Sequence, residues 1–477
     1  MELYFVVGFL IMPLTVAEAF QLPLKRLADK ESKTGHTTQL KSKYVANLAI
    51  GTPPQLVQAA FNTGSASIWV PARSCAKKST NGACSSEGNF FDPTHSNTFK
   101  NTTRFFETGY DESNARGYVI KDKLSILTSS RGPKLSFRNP VFIGAATTPA
   151  ESNEAVFGLP SQQFSHPYEH SYSTILHQQM NNTNVNASYF TLYTAGCGYE
   201  GCGNRAVLTF GGQDHKHCQE QINFTPLIPT SPIWEFQADG VGVRGLFAPK
   251  KITTSVDSGS GYVGVPRYML SVFVRRWNAT KLEGEDAYGI PCNTDLDVVL
   301  GIENVLYKIS SDNLLRPLPE AGQRKFGANM CQIAMRASEM LDVITLGEPF
   351  LRTYCVVHDI GGRRVGFAHK IGEEEPDEEE FDLSTTRRHF TRNRHPDRAK
   401  TRTQTPGDRR KKKEEKKNGR KHRKDGNKDR KSEESSESLE EYYRKKFERE
   451  QRRRGYPIPV PPFVFPYPPV FKNSTAV

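Results

Sequence analysis

The feature that most constrains this chain is a stretch that occurs twice. "FNTGSASIWVP" at 61–71 returns as "VDSGSGYVGVP" at 256–266, an offset of 195 (from 61 to 256). Both run apolar, Asn or Asp, Thr or Ser, Gly, Ser, two variable residues, apolar, one variable residue, Val, Pro. A second echo follows each copy: "AVFGLP" at 155–160 and "ITLGEP" at 344–349, an offset of 189 (from 155 to 344). Two echoes at nearly equal spacing imply two similar units in tandem, each with a polar turn and a later apolar-apolar-Gly strand.

The sequence between and around these copies is strand-like. Short β-branched and aromatic runs alternate with Gly, Pro, Asn and Ser turns, as in "YVANLAIGTPPQ", "GYVIKDKLSIL", "AVLTFGGQD" and "CVVHDIGGRRVGFA". Helical patterns are few and short; Pro266 to Trp277 is one. A mainly β protein is expected from about Tyr44 to Ala368.

The ends differ from this middle. Residues 1–19, "MELYFVVGFLIMPLTVAEA", have an apolar core and close on Ala17-Glu18-Ala19, the pattern of a secretory leader cut after Ala19. No other run is apolar for long enough to cross a bilayer. A secreted protein, or one in the endomembrane lumen or a lysosome-like compartment, is expected. Beyond Ala368 come an acidic block, "EEEPDEEEFD", then a Lys/Arg-rich tract, then a Pro-rich end. Residues 387–431 hold 21 Lys/Arg and 6 Asp/Glu, so +15 of charge sits in that tract, and the rest of a chain of net +12 sums to −3. Segment 371–477 cannot bury enough apolar surface to offset its ordering entropy and is expected to be disordered.

Eight cysteines, an even number behind a leader, favour disulfides over zinc: Cys75, Cys84, Cys197, Cys202, Cys218, Cys292, Cys331 and Cys355. Their pairing does not follow from the sequence, since eight cysteines allow 105 connectivities. No metal-ligand spacing or cofactor motif is present, so neither a metal nor a cofactor is expected. Sequons begin at Asn101, Asn181, Asn186, Asn223, Asn278 and Asn473, each a glycan acceptor in a secreted chain.

Taken as an ordered set, "AIGTPPQ", "NTGSASIWVP", "VDSGS", "DVVLGIENVLY" and "LGEPFLRTYCVVHDIGGRRVGFA" resemble the pepsin family of aspartic peptidases over roughly 44–368. The chain looks like a secreted, nematode-type member. The resemblance implies two β-rich lobes, 44–215 and 216–370, a cleft between them and a hairpin flap over it. A short pro-like segment, 20–43, would precede them and retains a "PLKR" core.

In that family two carboxylates face each other and share one proton, because like charges so close do not both ionise easily. The ionised one takes a proton from water; the protonated one donates to the scissile carbonyl. Carried over by position, Asn62 and Asp257 occupy the two carboxylate places. Thr63 and Ser258 are the bracing hydroxyls, Gly64 and Gly259 the turn glycines, and Ser65 and Ser260 the supporting hydroxyls. Trp69 follows the first loop, and Tyr110 stands on the flap. The resemblance also implies Cys75–Cys84 and Cys292–Cys331 bridges. Cys197–Cys202 would close a short loop, and Cys218 with Cys355 looks like the arrangement of nematode members.

Three departures stand near the same site. Asn62 is an amide where the mechanism needs a carboxylate; it preserves shape but takes no proton from water. Without a like-charged neighbour, Asp257 loses the interaction that splits the pair's titrations. The flap reads "YDESNARG", with Asp111, Glu112 and Ser113 where the family has permissive glycines. Glu154 and Ala155 stand where the family tends to have Asp-Gly. Normal peptidase activity is therefore not expected, and a monomeric core that binds a peptide or protein in its cleft is the favoured reading. Two alternatives remain: a weakly active endopeptidase relying on Asp257, and a polyanion-binding or anchoring protein acting through its basic tail.

Overall fold

The computed structural model describes residues 19–372, apart from 28–29, 32–33, 41, 74–89, 111–112, 129–133, 138–140, 148–153, 163–187, 199–200, 204, 244, 284–285 and 339–341. The leader reading, apart from Ala19, and the disordered-tail reading, apart from Ile371 and Gly372, fall outside the described residues.

All four quoted runs are strands. Tyr44–Ile50 turns through Gly51 into Gln55–Asn62, and Ser113–Lys121 is followed by Leu124–Leu127. Arg205–Phe210 and the pair Cys355–Asp359 and Arg364–Ala368 complete the set. Alternation explains the half-buried ones: in Phe20–Arg26 only Leu22 and Leu24 point inward and are buried. Burying each of those leucines is worth ~1.5–3 kcal/mol, so this first strand is firmly seated. Where strands are covered on both faces alternation disappears, as in Ala155–Gly158 and Asp297–Ile302. The helix Arg267–Arg276 starts behind Pro266, ends at Trp277 and buries Met269, Leu270, Phe273 and Val274 on one face.

The large sheet runs from Asn223–Pro226 through Arg364–Ala368 and Cys355–Asp359 to Tyr189–Thr194, Arg205–Phe210 and Phe20–Arg26. It continues through Tyr44–Ile50 to Gln55–Asn62, Ala155–Gly158 and Ile68–Pro71. Strands from both halves of the described residues thus share one sheet, joined where Phe190 pairs with His358.

The sequence echoes are echoes of pairing. Ala155–Gly158 lies parallel to Gln55–Asn62, with Phe157 opposite Phe61, and antiparallel to Ile68–Pro71. In the second half Val343–Leu346 lies parallel to Ile252–Val256, with Leu346 opposite Val256, and antiparallel to Val263–Val265. The glycine ending each apolar run has a steric cause. A Cβ on Gly158 would stand 2.6 Å from the Ser65 carbonyl oxygen, and one on Gly347 would stand 2.5 Å from that of Ser260. Both apolar runs therefore press on the polar loops that precede them in sequence.

Candidate active site

The two polar loops meet back to back. Gln55–Asn62 and Ile252–Val256 end where their strands leave the sheets, so Thr63 and Ser258 become opposed. The Thr63 amide donates to Ser258 Oγ at 3.0 Å, and the Ser258 amide donates to Thr63 Oγ1 at 2.9 Å. Thr63 Oγ1 then donates to the Val256 carbonyl at 3.1 Å, and Ser258 Oγ to that of Phe61 at 2.9 Å. Each hydroxyl accepts from one loop and donates to the strand feeding it, so four buried backbone groups are satisfied by two side chains.

Above this brace Asn62 and Asp257 occupy equivalent places. Asn62 Oδ1 accepts from the Gly64 amide at 2.7 Å, and Asp257 Oδ1 accepts from the Gly259 amide at 2.8 Å. Each side chain also lies against the opposite loop. A Cβ on Gly64 would meet Asp257 Cγ and Oδ1 at 2.4 Å, and one on Gly259 would meet Asn62 Nδ2 at 2.4 Å. Neither glycine has positive φ. The expectation of tight-turn glycines therefore gains a different physical reason: Gly64 and Gly259 let the Asn62 and Asp257 side chains approach across the joint. Because Asn62 Oδ1 faces its own loop, its Nδ2 faces the other one.

Ser65 and Ser260 sit one step further out in matching geometry. Ser65 Oγ accepts from the Ser67 amide at 3.3 Å, and Ser260 Oγ from the Tyr262 amide at 3.4 Å. Trp69 is fully buried against Ala115, Ala145 and Val156, which places it beneath the hairpin Lys100–Tyr110 and Ser113–Lys121. Tyr110 pairs with Ser113 at the end of that hairpin; Asp111 and Glu112 lie outside the described residues.

Two disulfides are described, Cys218–Cys355 and Cys292–Cys331. Cys197 is disulfide-bonded and stands opposite Cys202 in a two-stranded pair. Cys75 and Cys84 lie outside the described residues, as do Asn181, Asn186 and Asn473. Asn101 and Asn278 are exposed, and Asn223 is half-buried in a strand. Among the described residues no cluster of His, Cys, Asp and Glu could hold a metal, and no helix is long and apolar enough to cross a membrane.

Two arrangements near the site were not legible beforehand. Residues 34–40 pack beside the second loop, with Lys43 beyond them. The Leu40 amide donates to the Tyr262 hydroxyl at 3.1 Å, and the Thr38 amide and carbonyl bond the Gln332 side chain at 2.9 and 3.0 Å. Lys43 pairs with Glu154 at 2.6 Å, a second role for one of the departures. The other arrangement is a buried charge cluster under the second loop. Glu348 takes both Arg26 and Arg352, and the Tyr44 hydroxyl donates to it at 2.9 Å. Burial pushes the Glu348 carboxyl up, but the Arg26 bond and the charges of Arg352 and Arg26 outweigh it and hold it below the usual carboxylate range. The Tyr44 phenol is pushed up by burial and by the Glu348 charge.

Two paired β units, joined by a shared sheet and by two cross-braced Asx-Thr/Ser-Gly loops, define the pepsin-like fold class. The chain belongs to the eukaryotic aspartyl protease family, whose model matches residues 43–370. Among its relatives, aspartic protease 17 of Caenorhabditis elegans is 26% identical over 400 residues, covering 75% of this chain and 97% of the relative. Aspartic protease 2 of Necator americanus is 25% identical, covering 68% of this chain and 83% of the relative. Pregnancy-associated glycoprotein 1 of Bos taurus is 29% identical, covering 69% and 82%.

Proposed function

We propose that this chain is a pepsin-fold protein of the secretory pathway that holds peptides in its cleft without cutting them. The observation that carries the reading is Asn62. It stands in the place symmetric to Asp257, bonded to its own loop by the same contact. The two places make matching contacts, and one of them carries an amide instead of a carboxylate. An amide presents a donor and an acceptor but neither takes a proton from water nor delivers one to a leaving group. A positioned acid or base contributes ~10²–10⁴-fold, and the family mechanism draws on a shared proton for both roles.

What remains is an Asn–Asp pair suited to binding. The Asn62 Nδ2 can donate to a peptide carbonyl and the Asp257 carboxylate can accept from a peptide amide. Extended backbone is already held nearby, since Gln332 captures both backbone groups of Thr38. The test is to incubate the full chain with peptides from a denatured protein, isolate the complex by size exclusion and identify what co-elutes. Recovery of intact peptides supports the reading. Absence of any co-eluting peptide, or recovery of newly cut ones, contradicts it.

The tract 387–431, with its local +15, is proposed as a polyanion-binding tail. Salt-dependent retention on heparin should vanish when 387–454 is deleted; unchanged retention would refute this.

A further inference from the structure

We propose that Trp234 is a positioning residue for the Asn62–Asp257 pair, holding the two loops in register through one hydrogen bond toward each. This rests on the reading of that pair as the centre of the site.

The links form a closed circuit. The Leu159 amide donates to the Asn62 carbonyl at 2.8 Å, and the Leu159 carbonyl accepts from the Trp234 indole Nε1–H at 2.7 Å. The Trp234 carbonyl accepts from the amide of Val256, the residue before Asp257, at 3.1 Å. The Val256 carbonyl accepts from Thr63 Oγ1 at 3.1 Å, which returns the path to the residue after Asn62. Two side chains, Thr63 and Trp234, close this circuit; its other links are backbone.

The indole suits the task. The Leu159 carbonyl lies in a buried residue and needs a donor. Trp carries one donor and no acceptor at the end of a large apolar body, so it crosses the joint and leaves no polar atom over. The ring is held on both sides. Trp234 is fully buried, edge to face with Phe190 at 5.7 Å and with His358 at 4.6 Å. Phe190 and His358 oppose each other at the seam of the large sheet, so the seam sets where the N–H points. Neighbouring contacts reinforce the link. The Ser161 amide donates to the Pro232 carbonyl at 3.0 Å, and Ser161 Oγ and Gln162 Nε2 donate to the Ser231 carbonyl at 3.2 and 2.8 Å.

A counterpart runs the other way. Tyr44, from the first half, donates its hydroxyl to Glu348 in the second at 2.9 Å. The spacing from 44 to 234 is 190 and from 159 to 348 is 189, close to the offsets of the repeated loops. Two aromatic side chains thus cross the joint from equivalent places in the sequence. Trp234 is the one whose far end reaches the Asn62 backbone through a single residue. A shift at Leu159 therefore moves Asn62, and a ~1 Å misplacement of a working group can cost ~10²-fold.

The full chain is made with Trp234→Phe, which keeps a ring without the donor, and with benzothienylalanine at 234, which keeps the indole shape and replaces N–H by sulfur. Trp277→Phe is the control. Amide hydrogen exchange is followed by mass spectrometry. In chains that also carry Asn62→Asp, kcat and KM for a peptide substrate are measured well below each unfolding temperature. Both changes at 234 should speed exchange of the segment carrying Leu159 by ~10-fold and leave Val305–Ser310 unchanged. They should lower kcat by ~10–10²-fold with KM little changed, whereas Trp277→Phe should alter neither. Unchanged exchange at Leu159, an equal rise in every segment, or a kcat untouched by benzothienylalanine would reduce Trp234 to a core residue and overturn the inference. If Asn62→Asp cleaves nothing, the account of Asn62 falls instead, and exchange at Leu159 still decides for or against Trp234.

Discussion

At the scale of single residues, the site is built by groups that satisfy each other across the joint. Thr63 Oγ1 accepts one buried amide and donates to one buried carbonyl. Thr63→Ala strands both, at ~1–3 kcal/mol each, so a loss of ~2–5 kcal/mol in unfolding free energy is expected from urea denaturation. A loss under 1 kcal/mol would show that the brace is replaceable. These residues were legible in the sequence because the loops repeat: the same polar string 195 residues apart marks equivalent places. The reason for the glycines was not legible. A turn and a close approach both call for Gly, and only the opposing positions of Asn62 and Asp257 distinguish them.

At the scale of elements, the buried cluster around Glu348 ties the first strand to the second half of the chain. Arg26 lies on Phe20–Arg26, Tyr44 on Tyr44–Ile50, and Glu348 opens the short helix Glu348–Leu351. Glu348→Gln leaves Arg26 and the fully buried Arg352 facing an uncharged amide. Removing one partner of a buried pair costs ~3–5 kcal/mol, and that loss is the expected result of equilibrium unfolding. The same change should make Phe20–Arg26 the first segment to lose hydrogen-exchange protection. None of this could be read from "LGEP". The echo with "FGLP" accounts for its glycine and proline, but a partner 322 residues away is brought near only by the sheet. The strands themselves were legible, since alternation and turn residues are local properties.

At the scale of the whole molecule, the halves are sewn where Cys355–Asp359 pairs with Tyr189–Thr194, and His358 lies at that seam. Its ring is fully buried, stacked on Phe190 at 4.4 Å and edge-on to Trp234 at 4.6 Å. Burial pushes its pKa down to about 3, against weak opposition from the Val356 and Phe190 backbones. The native state therefore keeps His358 neutral while the unfolded chain takes up a proton below ~6.5. This contribution is complete above pH ~6.5 and is lost progressively as pH falls toward 3, by ~2 kcal/mol between pH 7 and 5. The depressed Glu348 pKa adds its own loss only below the unfolded carboxylate value of ~4.3, so the two windows separate. His358→Phe should flatten stability between pH 7 and 5. Equal slopes for both proteins would place the acid sensitivity elsewhere.

The pairing of Asn62 with Asp257 also belongs to the whole molecule, because their loops meet only where the two halves are braced. The direct test is kcat/KM for a peptide substrate, measured from pH 3 to pH 7, on the unmodified chain beside Asn62→Asp. Intact mass must verify that Asn62 has not deamidated. The unmodified chain should show no cleavage, and Asn62→Asp should gain at least ~10²-fold, blocked by pepstatin. Pepstatin-sensitive cleavage by a protein whose Asn62 is verified as asparagine would contradict it.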